Sequence, residues 1–266
     1  MEPWVHPYES KSTEELFSLA IGADGDDEDY EAETPQAAVR VLRKRNTPEV
    51  FMLAAKWCGS PVAHERERGL EVLAQLGAGQ PMEDRPHFAQ SVDLAIAGIQ
   101  DTDPDVVQAA AYALANLQGE LAITTLIGLK HHPNPKVRHA IAIGLVGSDL
   151  PDVAPTLMEL MEDADYEVRN WATFSLGMRP EPDSPAIRDA LRKRLSDPFI
   201  DARHEGIWGL AHRKDPEGLR ILLDRFETDE WVSGDEMVAC DLLDLKSDAS
   251  VDEICRGLRA LLADVS

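Results

Sequence analysis

Apolar positions along this chain recur at helical rather than strand spacing, and the helical segments themselves repeat. Four stretches carry an Arg, a small residue three on and a Leu seven on. They are Arg66/Gly69/Leu73, Arg138/Ile141/Leu145, Arg169/Ala172/Leu176 and Arg203/Gly206/Leu210, with Ile141 the one larger middle residue. Arg138 and Arg169 stand 31 residues apart, Arg169 and Arg203 34. A weaker copy, Val107/Ala110/Leu114, lies 31 residues before Arg138. A period of this size means stacked helix pairs, because one short pair cannot bury its apolar face alone and must lean on its neighbours. The predicted fold is all-α, a right-handed α-solenoid.

The spacing predicts a short helix at 14–21, capped by Ser12 or Thr13, and then helices over 35–45, 48–58, 63–76, 87–99, 104–117, 120–131, 135–146, 152–162, 166–177, 184–195, 199–212, 216–227, 234–245 and 250–263. Thr47-Pro48, Asp103-Pro104, Asn134-Pro135, Asp197-Pro198 and Asp215-Pro216 each put a polar cap before a proline, where the missing N–H costs nothing. Asp163-Ala-Asp-Tyr starts a helix without proline. Anchor leucines at 42, 73, 114, 145, 176, 210 and 243 define about seven hairpins, with atypical end units as capping repeats have. The one long interval, Leu73 to Leu114, contains the loop Gly77–Pro86.

Residues 35–266 thus form the solenoid, and 1–34 an N-terminal acidic segment with a short helix and a loop, 22–33, expected to be mobile. The net charge is −23, of which −10 falls in residues 1–35, with eleven acids against Lys11. Such a charge opposes nucleic-acid binding, which rests on Lys and Arg displacing counterions. No apolar run is long enough for a membrane span, and the first residues lack a secretory pattern. Cys58, Cys240 and Cys255 form neither a metal-ligand spacing nor an even disulfide framework, which reads as reduced thiols in a cytoplasmic protein.

Asn134-Pro-Lys-Val-Arg-His-Ala-Ile-Ala-Ile-Gly-Leu and Asp165-Tyr-Glu-Val-Arg-Asn-Trp-Ala-Thr-Phe-Ser-Leu-Gly resemble HEAT repeats of the short bacterial kind named after phycobilisome-lyase subunits. The resemblance covers about 35–263. The order Arg169-Asn-Trp-Ala-Thr-Phe, Ala186-Ile-Arg-Asp-Ala-Leu and Gly209-Leu-Ala-His-Arg-Lys-Asp is similar to stand-alone bacterial HEAT proteins of the YibA type. Some of that group are encoded beside Rhs-type polymorphic toxins, which implies an immunity role. Fold alone does not assign function, so the site has to carry it.

The repeated arginines are read as structural clamps, each pairing with an acid of the preceding turn: Asp163 six residues before Arg169, Asp197 six before Arg203. Five residues after each Arg position stand Glu71, Tyr112, Ile143, Phe174 and Trp208. This row is either core between the helical layers or an apolar strip on a concave face. Two after each Arg come Arg68, Ala109, Ala140, Trp171 and Glu205, a mixture that predicts an exposed position. Polar sets at one after (Glu67, Gln108, His139, Asn170, His204) and nine after (Gln75, Asn116, Gly147, Met178, His212) flank the tryptophans. The candidate partner-binding residues are therefore His139, Asn170, Trp171, His204, Glu205, Trp208 and His212.

Catalytic patterns are missing: no His-x-x-x-His, no phosphate loop, no nucleophile elbow. His204 and Glu205 are adjacent and point apart, whereas His204 and Trp208, four apart, can pack together. The expectation is a non-enzymatic binding protein without cofactor or metal. Its partner is another protein, basic in charge, such as a toxin domain. The alternatives are a bilin-lyase-like subunit, a regulatory scaffold, or a DNA-damage reader, the last opposed by Glu67, Glu71 and Glu205 on the candidate face.

Overall fold

The computed structural model describes residues 7–22, 34–77, 80, 84–178 and 181–265. Among them are fifteen α-helices, a 3-10 turn at Pro7–Ser10, and no strand. The loop expected to be mobile, 22–33, lies outside the described residues apart from Gly22.

Two compact units divide after Gly144. The first holds α1 (Thr13–Ala20), α2 (Pro35–Arg45), α3 (Pro48–Cys58), α4 (Ala63–Ala74), α5 (Phe88–Gly98), α6 (Pro104–Leu117), α7 (Glu120–Gly128) and α8 (Pro135–Gly144). The second holds α9 (Val153–Leu160), α10 (Tyr166–Gly177), α11 (Pro185–Arg194), α12 (Ile200–His212), α13 (Pro216–Thr228), α14 (Ser233–Leu243) and α15 (Val251–Val265). In the first unit each odd-numbered helix packs on the helix after it, and α2, α4, α6 and α8 pack in succession. In the second, α9 pairs with α10 and α11 with α12; α10, α12 and α14 pack in succession; α13 and α15 cover the other side. The even-numbered helices α2 to α12 are the second helices of six hairpins, and α13, α14 and α15 complete the packing of the second unit. A sequence boundary at 34/35 is not a break in packing, since Tyr8, Leu16, Phe17 and Ala20 share one core with Ala37, Val39 and Leu42.

Anchor leucines Leu42, Leu73, Leu114, Leu145, Leu176 and Leu210 are all buried, while Leu243, in the last pair, is half-buried. At Gly69 and Gly206 the small residue before the anchor sits where paired helices meet closely. A Cβ on Gly69 would lie 2.7 Å from the Ala54 carbonyl oxygen and 2.9 Å from the Cys58 nitrogen. On Gly206 it would lie 3.0 Å from the Arg194 Cβ.

The caps follow local chemistry. Ser12 and Glu15 form a reciprocal capping box. Thr47, Asp103 and Asp215 accept from the first turns of α3, α6 and α13, and Asn134 Oδ1 accepts from Lys136 N at 2.9 Å. Asp197 departs from this set. Helix α12 begins at Ile200 with Phe199 at its cap position, so the Asp197 carboxylate accepts from Phe199 N at 2.9 Å one residue outside the helix, and it takes Arg169 and Arg194 as well. Several helices end a residue or more before the apolar pattern does: α7 stops at Gly128 and α9 at Leu160, and tighter turns such as Leu129 N to Leu126 O (2.9 Å) finish them.

The arginine clamp differs from the expectation in one respect. Arg66, Arg138, Arg169 and Arg203 each donate to the carbonyl six residues back: Ser60 at 3.0 Å, His132 at 2.7 Å, Asp163 at 2.9 Å and Asp197 at 2.7 Å. The carboxylate, however, comes from the following repeat. Arg66 grips Asp101 through two parallel bonds of 2.7 and 2.8 Å, and Arg169 grips Asp197 through two of 2.9 and 3.1 Å. One guanidinium therefore fastens its own loop and the next hairpin together. The acid before the Arg also braces its own loop: Asp163 Oδ1 accepts from Asp165 N and Asp197 Oδ1 from Phe199 N, each at 2.9 Å.

Candidate binding surface

The face in question lies on the second helices of the second unit. Its frame is stiff, because buried polar groups hold the helix ends. Arg213 donates to the carbonyls of Leu176 (2.8 Å) and Gly209 (3.0 Å), tying the end of α10 to α12. Asp197 also takes Arg194 at 3.1 Å; burial pushes its carboxyl up, but Arg169, the Phe199 N–H and Arg194 outweigh that and hold it below its ordinary value.

On this frame Phe174 of α10 and Trp208 of α12 hold the same register position, and both are half-buried. So are Glu71, Tyr112 and Ile143 in the first unit. The row is neither closed core nor free surface. Trp171 packs edge-on against Phe174, ring centroids 5.3 Å apart, and is half-buried. His204 tilts over Trp208 at 5.7 Å, as their four-residue spacing predicts. Burial first, then the Arg225 charge, pushes the His204 imidazole below its ordinary value, which disfavours its cation.

Trp208 also serves the fold. Its Nε1 donates to Asp235 Oδ1 at 2.7 Å; Asp235 is fully buried and receives Arg225 (2.9 and 3.1 Å) and the Val232 N–H (2.9 Å) as well. The indole lies so close over Gly234 that a Cβ there would overlap the ring. His212 Nδ1 is 3.3 Å from the Gly177 carbonyl oxygen, and its Nε2 is 3.9 Å from Asp241, whose side chain is exposed. Asn170 Oδ1 is buried without a hydrogen-bond partner. Glu205 makes no hydrogen bond or ion pair with any described residue. Burial, with Asp201 one turn back, pushes its carboxyl up to about 7.

Six of the seven sequence candidates thus lie on α10 and α12. The seventh, His139, belongs to the first unit, where its Nδ1 is 2.7 Å from the Tyr112 hydroxyl. The expectation that the position two after each Arg is exposed needs correction. Arg68 is fully buried with its guanidinium 2.7 Å from Glu71, Ala109 and Ala140 are buried, and Trp171 and Glu205 are half-buried. The position turns toward the neighbouring second helix, where burial first, then Arg40 and Arg68, disfavour the charge of Arg43 on α2. The sequence varies there because each neighbour differs.

Two exposed apolar residues were not selected from sequence: Met178 (47% exposed) at the end of α10 and Met237 (65%) on α14. Both hold register positions flanking the row, Met237 being the residue after Glu236 where Arg stands in other repeats. In the first unit the same register forms a polar groove of about 370 Å³ lined by Glu67, Glu71, Gln108, Tyr112 and Asn116.

Among the described residues, no group of three or more His, Cys, Asp or Glu side chains is placed to hold a metal ion. Burial pushes the Cys58 thiol up to about 12, far from a reactive thiolate. No described helix is long and apolar enough to cross a membrane.

Stacked hairpins, a buried leucine on the second helices α2 to α12 and arginines bridging successive repeats make an α-solenoid of the HEAT-repeat kind; residues 124–187 match the family model described as HEAT repeats. The chain is similar to Protein YibA of Escherichia coli (strain K12), 25% identical over 222 residues that cover 80% of this chain and 74% of that protein. An X-ray structure of the Escherichia coli YibA aligns with a TM-score of 0.70 at 21% identity, covering 99% of both chains. A designed armadillo repeat protein in complex with the peptide (KR)4 aligns with a TM-score of 0.51 at 15% identity, over 76% of this chain and 99% of that one.

Proposed function

We propose that this protein is non-enzymatic and acts by holding another protein against the second helices of its repeats. The observation that carries this reading is the half-buried aromatic row of Phe174 and Trp208, with Trp171 beside it and Met178 and Met237 exposed at its flanks. Large amphipathic side chains held rigid at a surface are the residue types that dominate protein interfaces. The charge of −23 favours a basic partner, since complementary fields speed encounter. The likeness to a designed repeat protein that carries a Lys-Arg peptide supports such a partner for a fold of this kind.

The concrete form is a cytoplasmic immunity protein that covers the working surface of a cationic toxin domain. Three free cysteines, two of them buried, suit a reducing compartment. The test asks whether a basic toxin domain is encoded beside this protein and, with that domain purified, measures its binding to the chain by calorimetry. A 1:1 complex that silences the toxin in vitro is expected. A toxin that stays active at saturating protein, or a Trp171→Ala variant that protects as well as wild type, counts against the reading.

A further inference from the structure

Nothing selects an occupant for the apolar cleft at Phe88, Val92 and Leu121, and in the groove over α4 and α6 Glu71 is already answered by Arg68. The face of the second unit carries more. Along α12, Asp201 is exposed and Glu205 half-buried, four residues apart on one side of the helix, and neither has a partner among the described residues. Asp241, exposed on α14, adds a third carboxylate next to His212.

The arginines nearby are committed elsewhere. Arg203 spends its guanidinium on the Asp197 and Pro198 carbonyls, and Arg225 on Asp235. Burial and Arg225 disfavour the His204 cation. A repulsive i,i+4 pair of acids disfavours the free helix. Burying part of one of them without a hydrogen bond adds a further cost. The same arrangement becomes favourable once a cation arrives from outside, because a half-buried acid gains more from a charge partner than an exposed one does.

We infer that this face docks a partner protein through a segment where a Lys or Arg stands beside apolar residues, the basic side chain seating on Glu205 and Asp201 and the apolar ones on Phe174, Trp208 and the two methionines. This rests on the protein-binding reading above and adds to it the chemistry of the partner's contact. The apolar row gives the contact area, and the unpaired acids choose the sign of the partner's charge.

The experiment uses the full chain and dye-labelled octapeptides of alternating Leu and Arg, Gly and Arg, or Leu and Glu, followed by fluorescence anisotropy at physiological salt. The Leu-Arg peptide should bind, the Gly-Arg peptide several-fold more weakly, and the Leu-Glu peptide not at all. Glu205→Gln, which copies the shape of the neutral acid and so keeps the fold, should weaken Leu-Arg binding about tenfold or more. Asp229→Asn, an acid outside the face, should change it less than twofold. Equal losses in the two variants reduce the attraction to the overall charge and overturn the inference, while leaving the toxin-binding test untouched. Absence of Leu-Arg binding by wild type overturns it as well. A free protein that sediments as a dimer dissociated by Met237→Glu would assign the face to a second copy, and that too overturns it.

Discussion

Arg169 and Asp197, 28 residues apart in sequence, meet through two parallel hydrogen bonds of 2.9 and 3.1 Å, while the same guanidinium holds the Asp163 carbonyl at 2.9 Å. A bidentate pair of this geometry is strong because both partners are charged and the fork matches the carboxylate. Asp197 is almost fully buried, so removing Arg169 would strand a charge. Arg169→Ala should cost about 3 kcal/mol of stability, read from urea unfolding, with little effect on partner affinity. A loss below about 0.5 kcal/mol would show that the pair behaves as an exposed one and ties nothing together.

The equivalent pair in the first unit makes acid sensitivity predictable. The Arg66 guanidinium, outweighing burial, holds the Asp101 carboxyl below its ordinary value of 3.8. A lowered folded-state value means the pair's contribution is present above the unfolded value and is lost as the pH falls through the folded one. Asp101→Asn should therefore lower the unfolding midpoint at pH 7 and narrow its difference from wild type steadily below about pH 4. A difference that stays constant down to pH 2 excludes the ion pair as its source.

Glu205 works in the opposite direction. Its folded value is raised to about 7 from 4.5, so the protein keeps this contribution at low pH and loses it as the pH rises through about 7. Glu205→Gln should match wild type near pH 4.5 and be more stable at pH 8 by about 1–2 kcal/mol, after discounting for solvent screening. Thermal melts at the two pH values decide it, and a variant less stable at pH 8 refutes the unpaired carboxylate.

The two tryptophans separate by what they touch. Trp208→Phe keeps the ring but removes the indole donor from Asp235 and should cost about 1–2 kcal/mol, and Trp208→Ala about 3–5 kcal/mol. Trp171→Ala, losing an edge contact with Phe174 and half-buried area, should cost about 1 kcal/mol. Calorimetric melting of the three variants ranks them. Trp171→Ala as the most damaging would move that residue from the binding face into the core.

Packing between paired helices sets the small residue. Gly69→Ala drives a methyl toward the backbone of α3, which cannot yield as a flexible side chain would, and should cost about 1–3 kcal/mol. An unchanged denaturation midpoint would mean that α3 and α4 can separate freely.

Much of this was legible in the residues. Helices 35–45, 48–58, 104–117 and 166–177 stand in the structure with the boundaries their spacing predicts. Their starts are written locally, in a Thr or Asp whose side chain bonds an N–H two or three residues on. The six buried anchor leucines were legible for the same reason, since helical spacing marks the face that must leave water. The exposure of the position two after each Arg was not, because it depends on which helix lies alongside: Arg68 is buried with Glu71, whereas Trp171 rests on Phe174. Nor was the role of Asp235, which stands outside every motif and gathers Trp208 and Arg225 only after α12, α13 and α14 pack.

The chain by itself determined that it would be helical, in stacked hairpins, with an arginine at the head of the middle second helices. These are consequences of interactions within one or two turns, and near neighbours in sequence suffice to specify them. Only the tertiary structure decided that each clamped carboxylate belongs to the next repeat, that Trp208 is a bolt as well as a surface, and that Glu205 is left without a partner. Those outcomes depend on how far one helix slides along its neighbour, an offset set by packing across some thirty residues of chain, which no local pattern records.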